Sequence, residues 1–400
     1  MRDDPFPVPG SRFPVPGSRF PAPGSRFPAP GSRFPVPGSR FPDVDYIRWA
    51  KALPRARINL ARSGLEACPP SLLGLTASDL VTNLPVHDGY APLLAAIARR
   101  YKVGVDRVFT VPGGTSFANF IAVAAALHGA PGGSEVLVER PAYEPLIRIP
   151  EALGYRVRRF DRGFEDGFQV DPDCFAAAIT PRTRLTIISN LHNPSGAQTS
   201  MKTMRAMARA LARVGARLLV DEVYLECLWG RRTDSCVHAG PNVIVTNSLT
   251  KAYGLDGLRA GWILGPRAVI DRAARMQDLL ANNGVAPGEQ MTLAAFRHLP
   301  AIRRRAQALL RPNLAIVREY LAREPRLQAH VPDHGNIVFA RLPHRVDSDE
   351  LADVLRRKYS TLIVPGRFFE MPAFIRFSFG IRPSRLRQGL ANLSLSLDEL

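Results

Sequence analysis

From about residue 43 onward the chain alternates short, nearly continuous apolar runs with stretches of helical period, the pattern of an α/β fold. The apolar runs predict strands over 108–111, 135–139, 185–190, 217–221, 243–248 and 261–265. Helical periods predict helices over 117–127 and over 201–214, the latter stopped by Gly215. After about residue 301 comes an Arg-rich helical stretch that Pro312 is expected to interrupt, then strands over 336–340 and 374–379 with a helix over 348–358 between them. This order predicts a large domain over 76–300 with a mostly parallel sheet, and a smaller α+β domain made of 43–75 and 301–400.

The first 42 residues follow another rule. A seven-residue unit, SRFPVPG or SRFPAPG, recurs with Arg at 12, 19, 26, 33 and 40 and two prolines per unit. Proline removes backbone donors and fixes φ, so this tail is expected to be extended or disordered, a low-complexity extension without a core. Its six Arg and two Asp give +4, which leaves +14 of the formal +18 on the remainder. So basic a chain raises the possibility of a non-catalytic binder of nucleic acid, anionic membrane or acidic ligands. Arginine is spread throughout, however, and no zinc-finger, helix-turn-helix or aromatic-studded basic strand gathers it, so neither nucleic acid nor membrane is an expected partner. Four cysteines without CxxC spacing read as free thiols, and the longest apolar run, 120–127, is too short to span a bilayer. With no apolar leader either, a cytoplasmic protein is expected.

In open α/β sheets ligands bind beyond the carboxyl ends of the strands. The polar oddities of this sequence fall there: Gly113-Gly114-Thr115-Ser116, Pro141-Ala142-Tyr143, His192-Asn193-Pro194-Ser195-Gly196, Asp221-Glu222-Val223-Tyr224 and Ser248-Leu249-Thr250-Lys251. The Gly-Gly-Thr-Ser turn opens into a helix and suits a phosphate, though any strand-to-helix turn uses similar residues. Of only five lysines, Lys251 alone follows an apolar strand; a desolvated amine there is a usable nucleophile and base, or else a lysine snorkelling at a strand end. Asp221 ends an apolar run and needs a positive or donating partner, either a protonated ligand ring or a structural arginine. Tyr143 and Tyr224 also fit as core aromatics, and Asn193 as a turn residue. His192, His330 and His334 suggest structural roles rather than a metal, since Pro332 breaks the spacing of the last two.

Taken in register, Asn193-Pro194-Ser195-Gly196, Asp221 with Tyr224, Ser248-Leu249-Thr250-Lys251 with Arg259, and Arg376-Phe377-Ser378-Phe379 resemble the class I/II aminotransferases, fold-type I pyridoxal-phosphate enzymes, over roughly residues 58–390. The resemblance implies that Lys251 carries pyridoxal 5'-phosphate covalently and that Asp221 pairs with its ring nitrogen. Asn193 and Tyr224 would bond the ring's phenolic oxygen, and Tyr143 would stack on its face. Gly114, Thr115, Ser116, Ser248 and Arg259 would hold the phosphate, while Arg376, with Asn193 and Gly64, would meet the substrate. Lys251, Asp221 and Tyr143 form the expected catalytic set. The implied activity is transfer of an amino group between an amino acid and a 2-oxo acid in a homodimer, with a lyase, decarboxylase or cyclase at the amino-acid α-carbon as the alternative. One departure stands out: Leu84 occupies the place where the family commonly carries a tyrosine that reaches the partner's phosphate, and cross-subunit residues are left unassigned.

Overall fold

The computed structural model describes residues 41–228, 234–331 and 333–400; the repeats expected to form a disordered tail, and Pro332, lie outside the described residues. At its centre is a seven-stranded sheet of β1 (Val108–Pro112), β2 (Glu135–Arg140), β3 (Arg156–Asp161), β4 (Thr183–Ser189), β5 (Arg217–Asp221), β6 (Val243–Ser248) and β7 (Ala260–Leu264). Their order is β1-β7-β6-β5-β4-β2-β3. All neighbours are parallel except β7, which runs antiparallel to both β1 and β6. The central strands carry near-continuous apolar residues because both sheet faces are covered. The helix Thr115–Leu127 packs on one of these faces and is buried nearly all round.

Six of the seven strands stand where the apolar runs placed them. The seventh, β3, is an addition: it pairs only with β2, at the sheet edge, and its Arg156, Arg158 and Arg159 interrupt any apolar pattern. A second correction concerns Pro312. The helix Leu299–Arg323 runs through it for 25 residues without a break. Directly after it, buried Asn313 donates through Nδ2 to the carbonyls of Phe379 (2.7 Å) and Ile381 (2.6 Å), fixing this turn to the chain beyond the last strand.

The C-terminal strands β8 (Gln328–Ala329), β9 (Ile337–Arg341), β10 (Val364–Pro365) and β11 (Phe374–Ser378) form an antiparallel sheet of order β10-β11-β9-β8. Arg376 lies in β11, opposite Phe339 and Val364. A short helix, Asp45–Ala52, precedes the Ile58–Asn59 strand, which pairs in parallel with Thr361–Leu362. The four cysteines are free, and among the described residues no helix is long and apolar enough to cross a membrane.

Candidate active site

The carboxyl ends of β1, β4, β5 and β6 converge on one cavity. Its walls include Thr115, Ser116, Tyr143, Asn193, Asp221, Tyr224, Lys251 and Arg259, eight of the residues singled out in the sequence, drawn from a span of more than a hundred positions. An adjoining pocket, lined by Gly64, Arg62, Asp256, Trp49 and Leu53, shares Tyr46, Ala50, Ser63, Thr250 and Lys251 with it.

Lys251 sits in the first turn after β6, where the chain enters a single helical turn, Thr250–Tyr253. Burial, seconded by the positive charge of Arg376, pushes its amine down to about 8 from an ordinary 10.5. A Cβ on Gly64 would lie 3.6 Å from both the Cα and the Cδ of Lys251, ordinary van der Waals contact, so the 61–64 segment packs against the lysine stem without depending on the glycine.

Asp221 ends β5 and is buried. Its Oδ2 accepts from Asn119 Nδ2 at 2.8 Å and its Oδ1 from the Val223 amide at 3.0 Å. Asn119 in turn accepts from the Thr246 hydroxyl, one strand over. Burial pushes the carboxyl up despite these donors. Asn119 thus aims the carboxylate into the cavity.

On the β1 side the two glycines have positive φ, +84° at Gly113 and +75° at Gly114, which turns the chain sharply into the helix Thr115–Leu127. A Cβ on Gly114 would lie 3.5 Å from Thr250 Oγ1 and 3.8 Å from Arg259 Nη1, in the midst of a polar cradle. The hydroxyls of Thr115 and Ser248 are bonded at 2.7 Å, and Ser248 donates to Thr250 Oγ1 at 2.7 Å. Arg259 donates from Nη2 to the Gly113 carbonyl and from Nη1 to that of Asp256. Three hydroxyls, an exposed guanidinium and the N-terminus of a thirteen-residue helix meet here, the donor set that a phosphate dianion takes. Gly114 and Ser248 stand just behind the cavity wall.

Arg376 is buried to 1% and also lies behind the wall. Its Nη1 donates to Asn193 Oδ1 at 2.9 Å, and its Nη2 to the Tyr46 hydroxyl at 2.8 Å and the Ala61 carbonyl at 3.2 Å. Nε has no partner among the described residues. Beneath Asn193 lies a closed polar network. The Asn193 amide donates to Ser189 Oγ at 3.0 Å, the Ser189 hydroxyl and amide donate to Glu139 Oε1, and Arg162 Nη1 donates to Glu139 Oε2 at 2.6 Å, with Arg162 and Glu139 both fully buried. His192 is held well below its ordinary pKa by burial; neutral, it donates through Nε2 to the Pro141 carbonyl and accepts at Nδ1 from Ser195. Among the described residues no group of three or more His, Cys, Asp or Glu is gathered for a metal.

Tyr143 and Tyr224 face each other's neighbourhood across the cavity. Each hydroxyl is pushed up by burial. Tyr46 was not singled out in the sequence, yet it meets the edge of Tyr143, ring centroids 5.7 Å apart at 81°. Nothing in DYIRWAKA, an ordinary amphipathic octapeptide, marks that residue.

A half-buried amine of lowered pKa, a buried carboxylate and a phosphate-type cradle around one cavity fit a phosphorylated, ring-nitrogen-bearing aldehyde. The model of "Aminotransferase class I and II" matches residues 44–393. Capreomycidine synthase of Streptomyces vinaceus is 31% identical over 343 residues, covering 83% of this chain and 86% of its own length. The arginine–pyruvate transaminase AruH of Pseudomonas aeruginosa is 30% identical over 277 residues, 67% of this chain and 70% of that one. Among solved structures, the PLP-dependent cyclase OrfR superposes with a TM-score of 0.79 at 26% identity, covering 93% of this chain and 100% of the other. The chain belongs to the class I and II aminotransferase family, and pyridoxal phosphate is its cofactor.

Proposed function

We propose that this protein is an aminotransferase that moves an amino group between an amino acid and a 2-oxo acid. The observation that carries the reading is the placement of Lys251 in one cavity with Asp221, Thr115, Ser116 and Arg259, its amine brought down to about 8 by burial and then by the charge of Arg376. In this reading Lys251 binds the cofactor aldehyde, and the donors around Gly114, Thr115, Ser116, Ser248 and Arg259 hold its phosphate. Asp221, aimed by Asn119, keeps the ring nitrogen protonated. Asn193 and Tyr224 bond the ring oxygen and Tyr143 covers the ring. So held, the cofactor supplies an electron sink for the bond broken at Cα. With the substrate amine in its place on the aldehyde, Lys251 would be free to accept the Cα proton at Nζ and to return it to the cofactor's aldehyde carbon, across the nitrogen from Cα. The substrate carboxylate is fixed on the Arg376 side, with Asn193 and Gly64 at its edge. The reading includes a homodimer.

A second reading has its own support in the 31% identity to capreomycidine synthase and the likeness to the cyclase OrfR: the same site closing a ring or eliminating a group at the amino acid. The two separate in one experiment. Purified holoenzyme is mixed with a panel of amino donors, arginine among them, and its cofactor absorbance and products are followed. Transamination bleaches the cofactor band, yields one oxo acid per site, and reverses on adding a 2-oxo acid. Ring-closed or eliminated product without oxo acid overturns it in favour of the second reading.

A further inference from the structure

Arg376 has a hydrogen-bonding problem that its expected role does not solve. A guanidinium meets a carboxylate best through two parallel N–H bonds, and both edges able to do this include Nη2. Here Nη2 is fully used, one N–H on the Tyr46 hydroxyl and one on the Ala61 carbonyl, and the whole side chain is buried. Tyr46 itself lines both the main cavity and the adjoining pocket, beside Lys251. A carboxylate coming from the cavity therefore meets the Tyr46 phenol before it meets the arginine.

A phenol can accept one hydrogen bond and donate another. Arg376 occupies the accepting side, which leaves the Tyr46 O–H to donate. The ring is held on several sides, by Tyr143 at 5.7 Å, Phe368 at 5.6 Å and Trp49 at 6.2 Å between centroids. The backbone is held as well: the Asp45 and Tyr46 amides donate to Glu144 Oε1 (3.2 Å) and Oε2 (2.7 Å), and Glu144 directly follows Tyr143.

We propose that Tyr46 is a substrate-contacting residue, its phenol held by Arg376 so that its own O–H donates to the α-carboxylate of the amino acid. This rests on reading the site as an amino-acid site. The carboxylate is then gripped by the phenol together with the free N–H of Arg376 Nη1, and the helix Asp45–Ala52 becomes part of the substrate site rather than an appendage to it.

The test uses holoenzyme and two unreactive probes of one shape, 4-methylvalerate and its uncharged amide, 4-methylvaleramide. Binding is read from tryptophan fluorescence, since Trp49 lies against Tyr46 and lines the adjoining pocket, and from the cofactor absorbance. In Tyr46→Phe, 4-methylvalerate binding is expected to weaken roughly tenfold, the loss of a hydrogen bond to a charged group, with amide binding within about twofold of the parent. The KM for the amino donor should rise by a similar factor with little change in kcat. Carboxylate binding that is unchanged or tighter in Tyr46→Phe overturns the proposal, because the phenol would then be a placeholder that substrate displaces. An equal loss for acid and amide overturns it too, leaving Tyr46 a packing residue. Should Arg376→Lys also bind 4-methylvalerate as well as the parent does, the carboxylate site itself is elsewhere, and it is the reading of the site, not the role of Tyr46 alone, that fails.

Discussion

At the scale of the residue, Lys251 sets up a conflict between function and stability whose sign can be worked out. In the unfolded chain its amine stays protonated up to about 10.4, whereas in the fold burial and Arg376 bring it to about 8. Between those values the unfolded state binds a proton that the folded state does not, so stability rises with pH across that window. Below about pH 8 the folded protein bears the full cost, roughly 3 kcal/mol for a shift of this size. Stripped of cofactor, Lys251→Met should therefore resist urea better than the parent at pH 7, and the advantage should shrink towards pH 10.5. Urea titrations of the two apo-proteins at pH 7 and pH 10 measure it; an advantage that does not change with pH would show that desolvation of the amine is not its source. This residue was legible in the sequence because chemistry made it anomalous, one lysine at an apolar strand end. Asp221 was legible for the same reason, as a carboxylate closing an apolar run. Asn119 and Tyr46 were not, because their roles exist only in contacts with Asp221, 102 positions away, and with Arg376, 330 positions away.

At the scale of the element, legibility follows burial. Strands covered on both faces, such as β5 and β6, announce themselves as unbroken apolar runs. The edge strand β3 does not, since exposure lets arginine occupy alternate and even adjacent positions. Pro312 misled because the cost of a proline inside a helix is local, whereas the helix Leu299–Arg323 is held by tertiary contacts that include both hydrogen bonds of Asn313. The helix Asp45–Ala52 is a harder case: eight residues are too few to be stable alone, and no side chain of its own caps its start. Glu144 supplies the missing acceptors from another helix while holding Arg148 Nε at 3.1 Å. Glu144→Ala removes both acceptors and should lower stability by about 1–3 kcal/mol, as expected for buried donors left without partners. Glu144→Gln keeps one carbonyl oxygen and should lose about half as much, on the same urea scale. Equal stability of all three proteins would mean that the helix is held by its aromatic face, Tyr46 and Trp49 on Phe368, instead.

At the scale of the whole molecule, the excess positive charge looked at first like a binding surface for polyanions, but several arginines are committed to internal work. Arg162 neutralises Glu139 in the core, Arg100 pairs with Glu226, Arg326 with Glu324, and Arg376 serves the cavity. The cavity draws on every part of the described chain, from Tyr46 through the ends of β1, β4, β5 and β6 to Arg376 behind it. A ligand bound at such a junction stabilises everything that must come apart to release it. Cofactor at one hundred times its dissociation constant adds about 2.7 kcal/mol, and the covalent link proposed at Lys251 would lower that constant further. The holoenzyme should therefore unfold at higher urea than the cofactor-stripped protein, in a single transition with an unchanged slope. Lys251→Ala, which keeps the phosphate cradle and Asp221 but not the covalent link, should gain less from the same cofactor concentration. Two transitions, of which only one moves with cofactor, would contradict this, and would mean that the sheet carrying Lys251 comes apart from the sheet carrying Arg376.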